Sequence, residues 1–474
     1  MSPALHFAKG LVLLVLLSAH PALTLGQGSF TPLGSEYAIS GALNGDQTAP
    51  SLALNTTGGW VVWQDPGIDG KGLGIGGRRL DAALNPAGAA FRVNSIVTGD
   101  QERPSVALLN DGGAVVIWQG GRQGFQNIYA RFIRPDGTFA TADVLVNQPA
   151  YSNSFRMTTN WTVIRNNRSY NLRQRIKGNA SARLERTLGA VVTSLSDGTV
   201  VAAYTSSRKY TTNVQSLVHK LRWTGMRFLT NSVLQYVPTV DNPMQDVYFQ
   251  LFTSAGQKIG GEIRANQYTA FNQQSPSVAA LSDGSFVLAW ASDQQQGTNG
   301  IAIVARLFDH NGAALGDEFI VSMPGVVCGD PSVAPAAIGG FTIAWTQKEP
   351  ATRLDVLART YNASVLPLGE PFVVNNERRG DQSGPRLASA PGGQLAVWTS
   401  MSQDGSREGV YGRWLNDGAV AGGEFRVNTT TFLRQFQPAV AADGSNRALV
   451  IWSSYQSMAG FDLFGQRYNF TAAP

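Results

Sequence analysis

Few residues of this 474-residue chain could do acid–base or metal chemistry. The sequence contains four histidines and one cysteine, Cys328. His6 and His20 lie near the N-terminus and His219 lies in a segment of foreign composition, so His310 is the histidine left for the main repeat region. A Cys/His zinc site needs about four such ligands. The sequence therefore excludes that site, and a Ser-His-Asp or Cys-His pair would depend on His310. The His-Asn-Gly context of His310 favours a turn residue instead.

Carboxylates are the other groups with useful chemistry. Asp65 and Asp69 lie in one loop that follows a tryptophan, and Asp404 and Glu408 lie in another. These loops vary between repeats, so the four carboxylates are the candidates for binding a ligand on a loop face. Calcium could use such oxygens, but no complete EF-hand loop is present and turns are the favoured interpretation. The sequence thus predicts no metal site, no cofactor and no catalytic residue.

A repeat of about 54 residues must position these loops. Gln101–Gly112 and Gln273–Gly284 share the pattern Gln-x-x-Pro-Ser-Val-Ala followed by Asp-Gly, and each leads into an apolar strand that ends in tryptophan. Two further strands follow, separated by Asp-Gly or Asn-Gly turns. Each repeat is therefore a four-stranded antiparallel sheet. The residue that marks each repeat is Trp63, Trp118, Tyr204, Trp290, Trp345, Trp398 or Trp452.

Sheets of this kind predict an all-β fold, a seven-bladed β-propeller. The last repeat lacks its fourth strand, and Glu36–Ser40 matches that missing strand in sequence. The N-terminal strand is therefore expected to close the last blade. The predicted propeller covers residues 34–470, with blades at about 46–94, 101–147, 187–266, 273–322, 330–375, 381–428, and 435–470 together with 34–40.

An arginine recurs on the third strand of the repeats. Since nearly every repeat has it, a scaffold role that pairs neighbouring blades is favoured over a ring that binds a polyanion. The set is Arg78, Arg131, Arg306, Arg359, Arg413 and Arg467, with Leu251 in the third repeat.

Residues 1–26 are typical of a secretory signal peptide, with Lys9 before an apolar run and small residues near the end. No other stretch is long and apolar enough to span a membrane. The mature protein is therefore expected to be secreted, as an extracellular glycoprotein with no membrane span. The glycosylation candidates within the repeats are Asn55, Asn362, Asn428 and Asn469.

Two basic insertions, residues 155–186 and 207–238, interrupt the third repeat. They hold 13 of the 37 basic residues and one of the 32 acidic residues, so without them and Lys9 the chain has 23 basic and 31 acidic residues. The insertions are solvated surface loops, a basic arm that binds an anion, or retained introns translated in frame. The residues of such an arm would be Arg165, Arg168, Arg173, Arg175 and Lys177.

The spliced transcript distinguishes the intron hypothesis from the other two. If the insertions are introns, the mature message lacks both and encodes an acidic protein. Sequencing the message across codons 150 to 245 checks this, and a message that retains both segments would rule the hypothesis out.

The pattern Gln-x-x-Pro-x-Val-Ala, Asp-Gly-Gly and a terminal tryptophan resembles repeats of large secreted bacterial proteins that are mostly uncharacterised. Some of those look like calcium-associated or adhesive surface proteins. The resemblance covers about Glu36–Tyr468 outside the insertions and implies a β-propeller. The Trp-Asp ending of WD40 repeats and the Ser-x-Asp-x-Gly-x-x-Trp box of sialidase-like propellers are missing.

The leading functional hypothesis is a non-enzymatic propeller that binds an extracellular protein or a glycan, and no nucleic acid, on a loop face. The alternatives are a glycoside hydrolase or lyase that works with carboxylates, and a structural component of the extracellular matrix. The mouth of the central channel discriminates between them. Two or three carboxylates there would favour the enzyme, whereas a mouth lined by Gly, Ala and Ser would count against it.

Overall fold

The computed structural model describes residues 29–41, 43–121, 126–147, 152–165, 168–182, 184–224, 227–241, 244–296, 300–349, 353–416, 418–456 and 460–471. The predicted signal peptide lies outside these residues, as do the side chains of 151–186 and 208–243. Within the described ranges the chain is all-β, and no helix there is long and apolar enough to cross a membrane.

The recurring unit is a sheet of four antiparallel strands in chain order. A tight turn joins the first two strands: in the second unit Gly112 has a φ of 87°, and Asp111 Oδ1 accepts the Gly113 N–H at 2.8 Å. This is why the repeat carries Asp-Gly at that place. The N-terminal strands and the first two units are β1 (Ser29–Pro32), β2 (Tyr37–Ala38), β3 (Thr48–Asn55), β4 (Gly58–Asp65), β5 (Gly74–Leu80), β6 (Pro86–Arg92), β7 (Asp100–Leu108), β8 (Ala114–Gly121), β9 (Asn127–Ile133) and β10 (Val144–Leu145).

The two basic insertions form antiparallel hairpins, and not the irregular surface loops that were one of the three hypotheses from sequence. One hairpin is a separate two-stranded sheet, and the other extends the second strand of the third unit. Many β-branched and aromatic residues in both segments favour extended backbone. The strands here are β11 (Ser152–Arg165), β12 (Arg168–Ala182), β13 (Leu184–Ser194), β14 (Val200–Thr224), β15 (Arg227–Asp241), β16 (Asp246–Phe252) and β17 (Lys258–Arg264), of which β13, β14, β16 and β17 form the third unit.

The remaining units repeat the same order. A single parallel pair, Ile301 with Val327, joins the fourth unit to the fifth. The strands are β18 (Gln273–Ala280), β19 (Phe286–Asp293), β20 (Ile301–Phe308), β21 (Phe319–Ile320), β22 (Val327–Pro335), β23 (Phe341–Lys348), β24 (Leu354–Tyr361), β25 (Phe372–Val373), β26 (Gln382–Ala390), β27 (Gly393–Met401), β28 (Glu408–Asn416), β29 (Ala419–Arg426), β30 (Gln435–Ala442), β31 (Arg447–Ser454) and β32 (Asp462–Thr471).

The N-terminal segment completes the last unit. Strand β2 pairs with β32, so that Tyr37 lies opposite Gly465, and β1 pairs with the far end of the same strand. The Glu36 carboxylate accepts hydrogen bonds from Thr430 and Gln456. Burial raises the pKa of Glu36, but these hydrogen bonds and those from Thr429 lower it below its ordinary value. The two ends of the chain are therefore held together by backbone pairing and by a charged hydrogen-bond acceptor.

Apolar packing between successive units forms the core. Each apolar cluster is shared by two neighbouring sheets, and one cluster joins the first unit to the last through Leu52 and Trp63 on one side and Leu449 and Ile451 on the other. The seven marker aromatics are fully buried in these clusters. Burial of one large aromatic contributes several kcal/mol, so these residues account for the strict spacing of the repeat.

Arginines on the third strands join neighbouring units. The Nε of Arg413 donates to the carbonyl of Gly422 in its own unit at 3.0 Å, and its Nη1 donates to the carbonyl of Val374 in the preceding unit at 2.9 Å. In the third unit Lys258 takes this role and donates to Val146 O at 2.8 Å, and burial lowers the pKa of Lys258. The same pair of bonds is made by Arg78, Arg131, Arg306 and Arg359, whereas Arg467 donates to Ala83 and Asn85 of the first unit.

A side-chain oxygen also caps the third strand of every unit. In the fifth unit the backbone N–H of Val356 donates to Asn375 Oδ1 at 2.7 Å, and Asn375 itself is 3% exposed. The residues that accept this bond are Ser40, Asn94, Asn147, Asn266, Ser322, Asn375 and Asn428.

Replacing Arg413 by methionine tests the join between units. Arg413→Met keeps the apolar stem but removes both hydrogen bonds, so we expect the free energy of unfolding to fall by about 2 kcal/mol. The matched control is Arg426→Met, because Arg426 is exposed on the next strand of the same unit. Urea denaturation of both variants measures the difference, and equal losses would contradict the assignment.

Candidate functional site

The first strand of each unit lies at the centre of the molecule. Among the described residues these first strands are β3, β7, β13, β18, β22, β26 and β30. Each contacts the first strand of the next unit, and β30 contacts β3, so the order of contacts returns to its start. A ligand that enters between these strands therefore meets residues from every unit.

Each first strand carries a β-bulge at the same place. A bulge re-aims side chains and is common beside functional sites. The bulged residues have a φ between 50° and 64°, a conformation that costs a residue other than glycine about 1 kcal/mol or more. They are Ala49, Arg103, Gly189, Ser275, Asp330, Gly384 and Gln437, and proline follows all of them except Gly189.

The bulges line a cavity of about 910 Å³, here called the central cavity. Residues of all the first strands contribute to its wall, together with Gln64, Leu354, Thr399, Met401 and Glu408 from other strands. The ionisable lining residues are Glu102, Arg103, Asp330, Asp381, Arg386 and Glu408. The mouth of the channel is thus not a surface of Gly, Ala and Ser alone.

The four carboxylates of the central cavity differ in their partners. Glu408 accepts a bidentate pair from Arg434, at 2.9 Å from Nε and 2.7 Å from Nη2. Glu102 accepts Gln126 Nε2 at 2.8 Å. Within the described part of the chain, no residue donates a hydrogen bond to the carboxylate of Asp330 or Asp381. These two carboxylates are therefore the ones whose oxygens a ligand would reach without breaking an internal bond.

Arg386 brings a positive charge into the same space. Its side chain is exposed and lines the cavity, and its Nη1 donates to Pro385 O at 2.8 Å. Enclosure lowers the pKa of the Arg386 guanidinium, and the negative charge of Asp330 acts in the opposite direction. Arg103, on the wall formed by β7, is also exposed.

The loop carboxylates of the first unit are used internally. Asp65 is 2% exposed and accepts Trp63 Nε1 at 3.0 Å and the Gly67 N–H at 2.8 Å. Asp69 is also buried and accepts the Lys71 N–H at 2.9 Å and Asn94 Nδ2 at 3.2 Å. Both side chains hold their own loop, and neither lines the central cavity.

The two loop carboxylates of the sixth unit, Asp404 and Glu408, differ in whether they line the central cavity. Asp404 Oδ1 accepts the Ser406 N–H at 3.1 Å and stands outside the cavity wall. Glu408 does line the cavity, although Arg434 occupies both of its oxygens. Of the four residues proposed from sequence, the structure therefore brings only Glu408 to the channel.

The other residues predicted from sequence lie away from the cavity or outside the described residues. The side chains of Arg165, Arg168, Arg173, Arg175 and Lys177 are among those not described. His310 is exposed in its turn, 3.0 Å from Asn311 Nδ2. Burial raises the pKa of Cys328 to about 12, so that thiol is a weak nucleophile. No group of three or more metal-ligating side chains exists within the described ranges.

The glycosylation candidates are not equivalent. Asn55, Asn362 and Asn469 are partly exposed. Asn428 is 1% exposed, and its Nδ2, the atom that a glycan would modify, donates to Thr430 O at 2.8 Å. Asn428 is the strand cap of its unit, so the expectation of a glycan there conflicts with its burial.

Sequence reasoning missed Glu102, Asp330, Asp381 and Arg386. All four lie at or next to the first strands, where the repeat looks most regular. A signal was present: Arg386 stands where four other units have serine, and Asp330 and Arg103 stand where others have Ala, Ser or Gly. Aligning the repeats on the residue before proline would have found them.

Several solved structures are similar to this chain. A protein of unknown function from Dyadobacter fermentans is 11% identical with a TM-score of 0.47, covering 93% of this chain and 99% of that chain. An alpha-L-arabinanase from Penicillium chrysogenum is 12% identical with a TM-score of 0.45, covering 93% and 98%. A sialidase from Streptococcus pneumoniae is 9% identical with a TM-score of 0.42, covering 93% and 70%. The four-stranded antiparallel sheets and the cyclic contacts of their first strands are consistent with a β-propeller here.

No protein-family model matches the sequence, and no curated protein sequence matches it. The preference for a non-enzymatic binder is nevertheless wrong. Four carboxylates line the central cavity, and several similar solved structures are named as glycoside hydrolases, among them an alpha-L-arabinofuranosidase, a family-43 hydrolase and a GH62 hydrolase. At such low identity these names describe those proteins, so the activity of this chain has to be argued from its own cavity.

The strained bulges give a prediction about stability. Gly384 has a φ of 64° with open space where a Cβ would stand, so Gly384→Ala adds backbone strain and no clash. We expect Gly384→Ala to lower the free energy of unfolding by about 1 kcal/mol. The matched variant is Ser275→Gly, at a φ of 54°, which removes such strain and should not destabilise the protein. Urea denaturation of the two variants checks this, and the reverse order would refute it.

Proposed function

We propose that the central cavity is the active site of a carbohydrate-active enzyme, a glycoside hydrolase or lyase that works with carboxylates. The observation that carries the proposal is the convergence of Glu102, Asp330, Asp381 and Glu408 on one cavity. They come from the second, fifth and sixth units, far apart in sequence, at the place where the repeat is otherwise most regular. A purely structural ring needs no charge there.

The partners of the carboxylates assign their roles. Asp330 and Asp381 have no internal donors within the described residues, so they are the candidates for proton transfer to and from the substrate. In a hydrolase one carboxyl group protonates the leaving oxygen, and the second activates water or attacks the sugar. In a lyase one carboxylate removes a proton from the sugar ring. Glu102 is held in place by Gln126, and Glu408 by Arg434, so these two shape the site.

The scaffold belongs to the same proposal. We propose a ring of seven blades, with the N-terminal strand completing the last one. It is supported by the cyclic contacts of the first strands and by the apolar cluster that joins the first unit to the last. We also propose that residues 1–26 are a signal peptide and that the enzyme acts on extracellular glycans, as the apolar run after Lys9 suggests.

Activity on glycans tests the function. The protein is assayed on a panel of neutral and acidic polysaccharides, with reducing ends measured for hydrolysis and absorbance at 235 nm for the unsaturated product of a lyase. On any cleaved substrate, Asp330→Asn or Asp381→Asn should lower kcat by about 100-fold or more. Asp136→Asn, in an exposed turn outside the cavity, should not change kcat.

Two results would refute the proposal. One is cleavage of no polysaccharide in a panel that covers both neutral and acidic chains. The other is cleavage that Asp330→Asn and Asp381→Asn leave as fast as in the unchanged protein.

A further inference from the structure

Arg386 breaks a regular pattern inside the central cavity. In each unit one residue resumes the pairing directly after the bulge, and in four units it is a serine. Each of these serines accepts a backbone N–H from the next first strand: in the fifth unit Ser332 Oγ accepts the Leu387 N–H at 3.0 Å. The serines are Ser51, Ser105, Ser277 and Ser332.

The sixth unit lacks this contact between blades, as do the third and seventh units, where Val191 and Ala439 occupy the position. Arg386 occupies the serine position, and the next first strand, β30, begins its pairing again at Ala439. Of the three units without the serine, the sixth alone carries a charged side chain at this position, and that side chain is exposed. A scaffold gains nothing from this exchange. The substitution therefore points to a role in the cavity.

Most N–H groups of the Arg386 side chain donate no hydrogen bond to a described residue. The guanidinium has five N–H groups, and one nitrogen, Nη1, donates to Pro385 O. Among the described residues no carboxylate oxygen lies within 4.0 Å of this guanidinium, although the negative charge of Asp330 acts to raise its pKa. The remaining N–H groups form the planar fork that matches a carboxylate or a sulfate with two parallel hydrogen bonds.

The bulge of the second unit carries the other cation of the cavity. Arg103 is exposed at a φ of 51°, a conformation that glycine would adopt without strain. It lies on β7, whereas Arg386 lies on β26, and these first strands are not neighbours in the order of contacts. A chain molecule with an anion on more than one sugar unit could therefore meet one guanidinium on each side.

We propose that the substrate of the central cavity is an acidic glycan, and that Arg386 binds the oxyanion of one of its sugar units, a uronic-acid carboxylate or a sulfate ester. This rests on the proposed function for the claim that the bound glycan is also cleaved, but the binding itself does not depend on cleavage. Asp330, two residues before Ser332 on the neighbouring strand, then lies beside the sugar that Arg386 holds.

The test measures binding by calorimetry with the full mature chain. The probes are uronic-acid trisaccharides (galacturonate, glucuronate and mannuronate), the same trisaccharides with methyl-esterified carboxyl groups, and sulfated neutral trisaccharides. We expect at least one acidic probe to bind at least ten-fold more tightly than its uncharged counterpart. Preference for the uronate identifies a carboxylate as the anion, and preference for the sulfated probe identifies a sulfate ester.

Arg386→Ser is the decisive variant because it installs the residue that four other units carry. Its thermal midpoint should equal or exceed that of the unchanged protein, while the ten-fold preference for the acidic probe should disappear. Arg386→Lys should keep part of the preference, since a lysine retains the charge and loses the fork. Arg264→Gln removes an exposed arginine outside the cavity wall and should change neither measurement.

The two proposals fail in different ways. Binding of an acidic probe that depends on Arg386, with no cleavage of any polysaccharide in the panel, would overturn the enzyme and leave this inference standing. Cleavage of neutral glycans that Arg386→Ser leaves unchanged would overturn this inference and leave the enzyme standing. Equal affinity for acidic and esterified probes would also overturn it.

Discussion

The structure depends on the packing of each sheet against both of its neighbours. A four-stranded sheet of this size has two faces, and in every unit both faces belong to apolar clusters that are shared with the adjoining units. Since no face is left for solvent or for ligand, the edges and loops alone can carry variable chemistry. The fully buried tryptophans, such as Trp118 and Trp345, fix the distance between sheets and so fix the repeat length.

The polar contacts follow from that packing. Side-by-side sheets leave backbone groups at the strand ends without ladder partners, and burial makes such groups costly. Arg413 and its counterparts supply donors to the carbonyls, and Asn375 and its counterparts supply acceptors to the N–H groups. A recurring charged residue is therefore a consequence of geometry here. This is why the arginine of the third strand is a scaffold residue even though arginine often binds anions.

The channel edge follows a different rule. The first strands have one free edge, which a bulge and a proline interrupt in most units. Interruption prevents pairing with another strand, and it leaves one residue per unit at a positive φ on the wall of the cavity. Arg103 and Asp330 keep this conformation although glycine, as in Gly384, would do so without strain. Strain of this kind is retained where the side chain has a use.

The sequence allowed the repeated four-stranded sheets of the fold to be predicted and the site hardly at all. The tryptophan spacing predicted four-stranded sheets, and the match of Glu36–Ser40 to the missing strand predicted the pairing now seen between Tyr37 and Gly465. These signals repeat, and repetition makes them visible. The loop carboxylates were chosen because the sequences of their loops differ between repeats. Asp65, however, accepts a hydrogen bond from Trp63 and so stabilises its own loop. Which carboxylates line the same cavity depends on how strands from distant repeats pack around the centre. The sequence of a single repeat does not encode that packing.

The charge of the protein limits how an acidic glycan would be bound. Outside the leader and the two insertions the chain has more acidic than basic residues, 31 against 23, so this part of the chain repels an anion at long range. Screening at physiological ionic strength confines that field to about 8 Å. Inside the cavity the nearest charges decide, and Arg386 is one of the two cations on its wall. The net charge of the chain is therefore a poor guide to its ligand, and the one position where the repeat replaces serine by arginine is a better one.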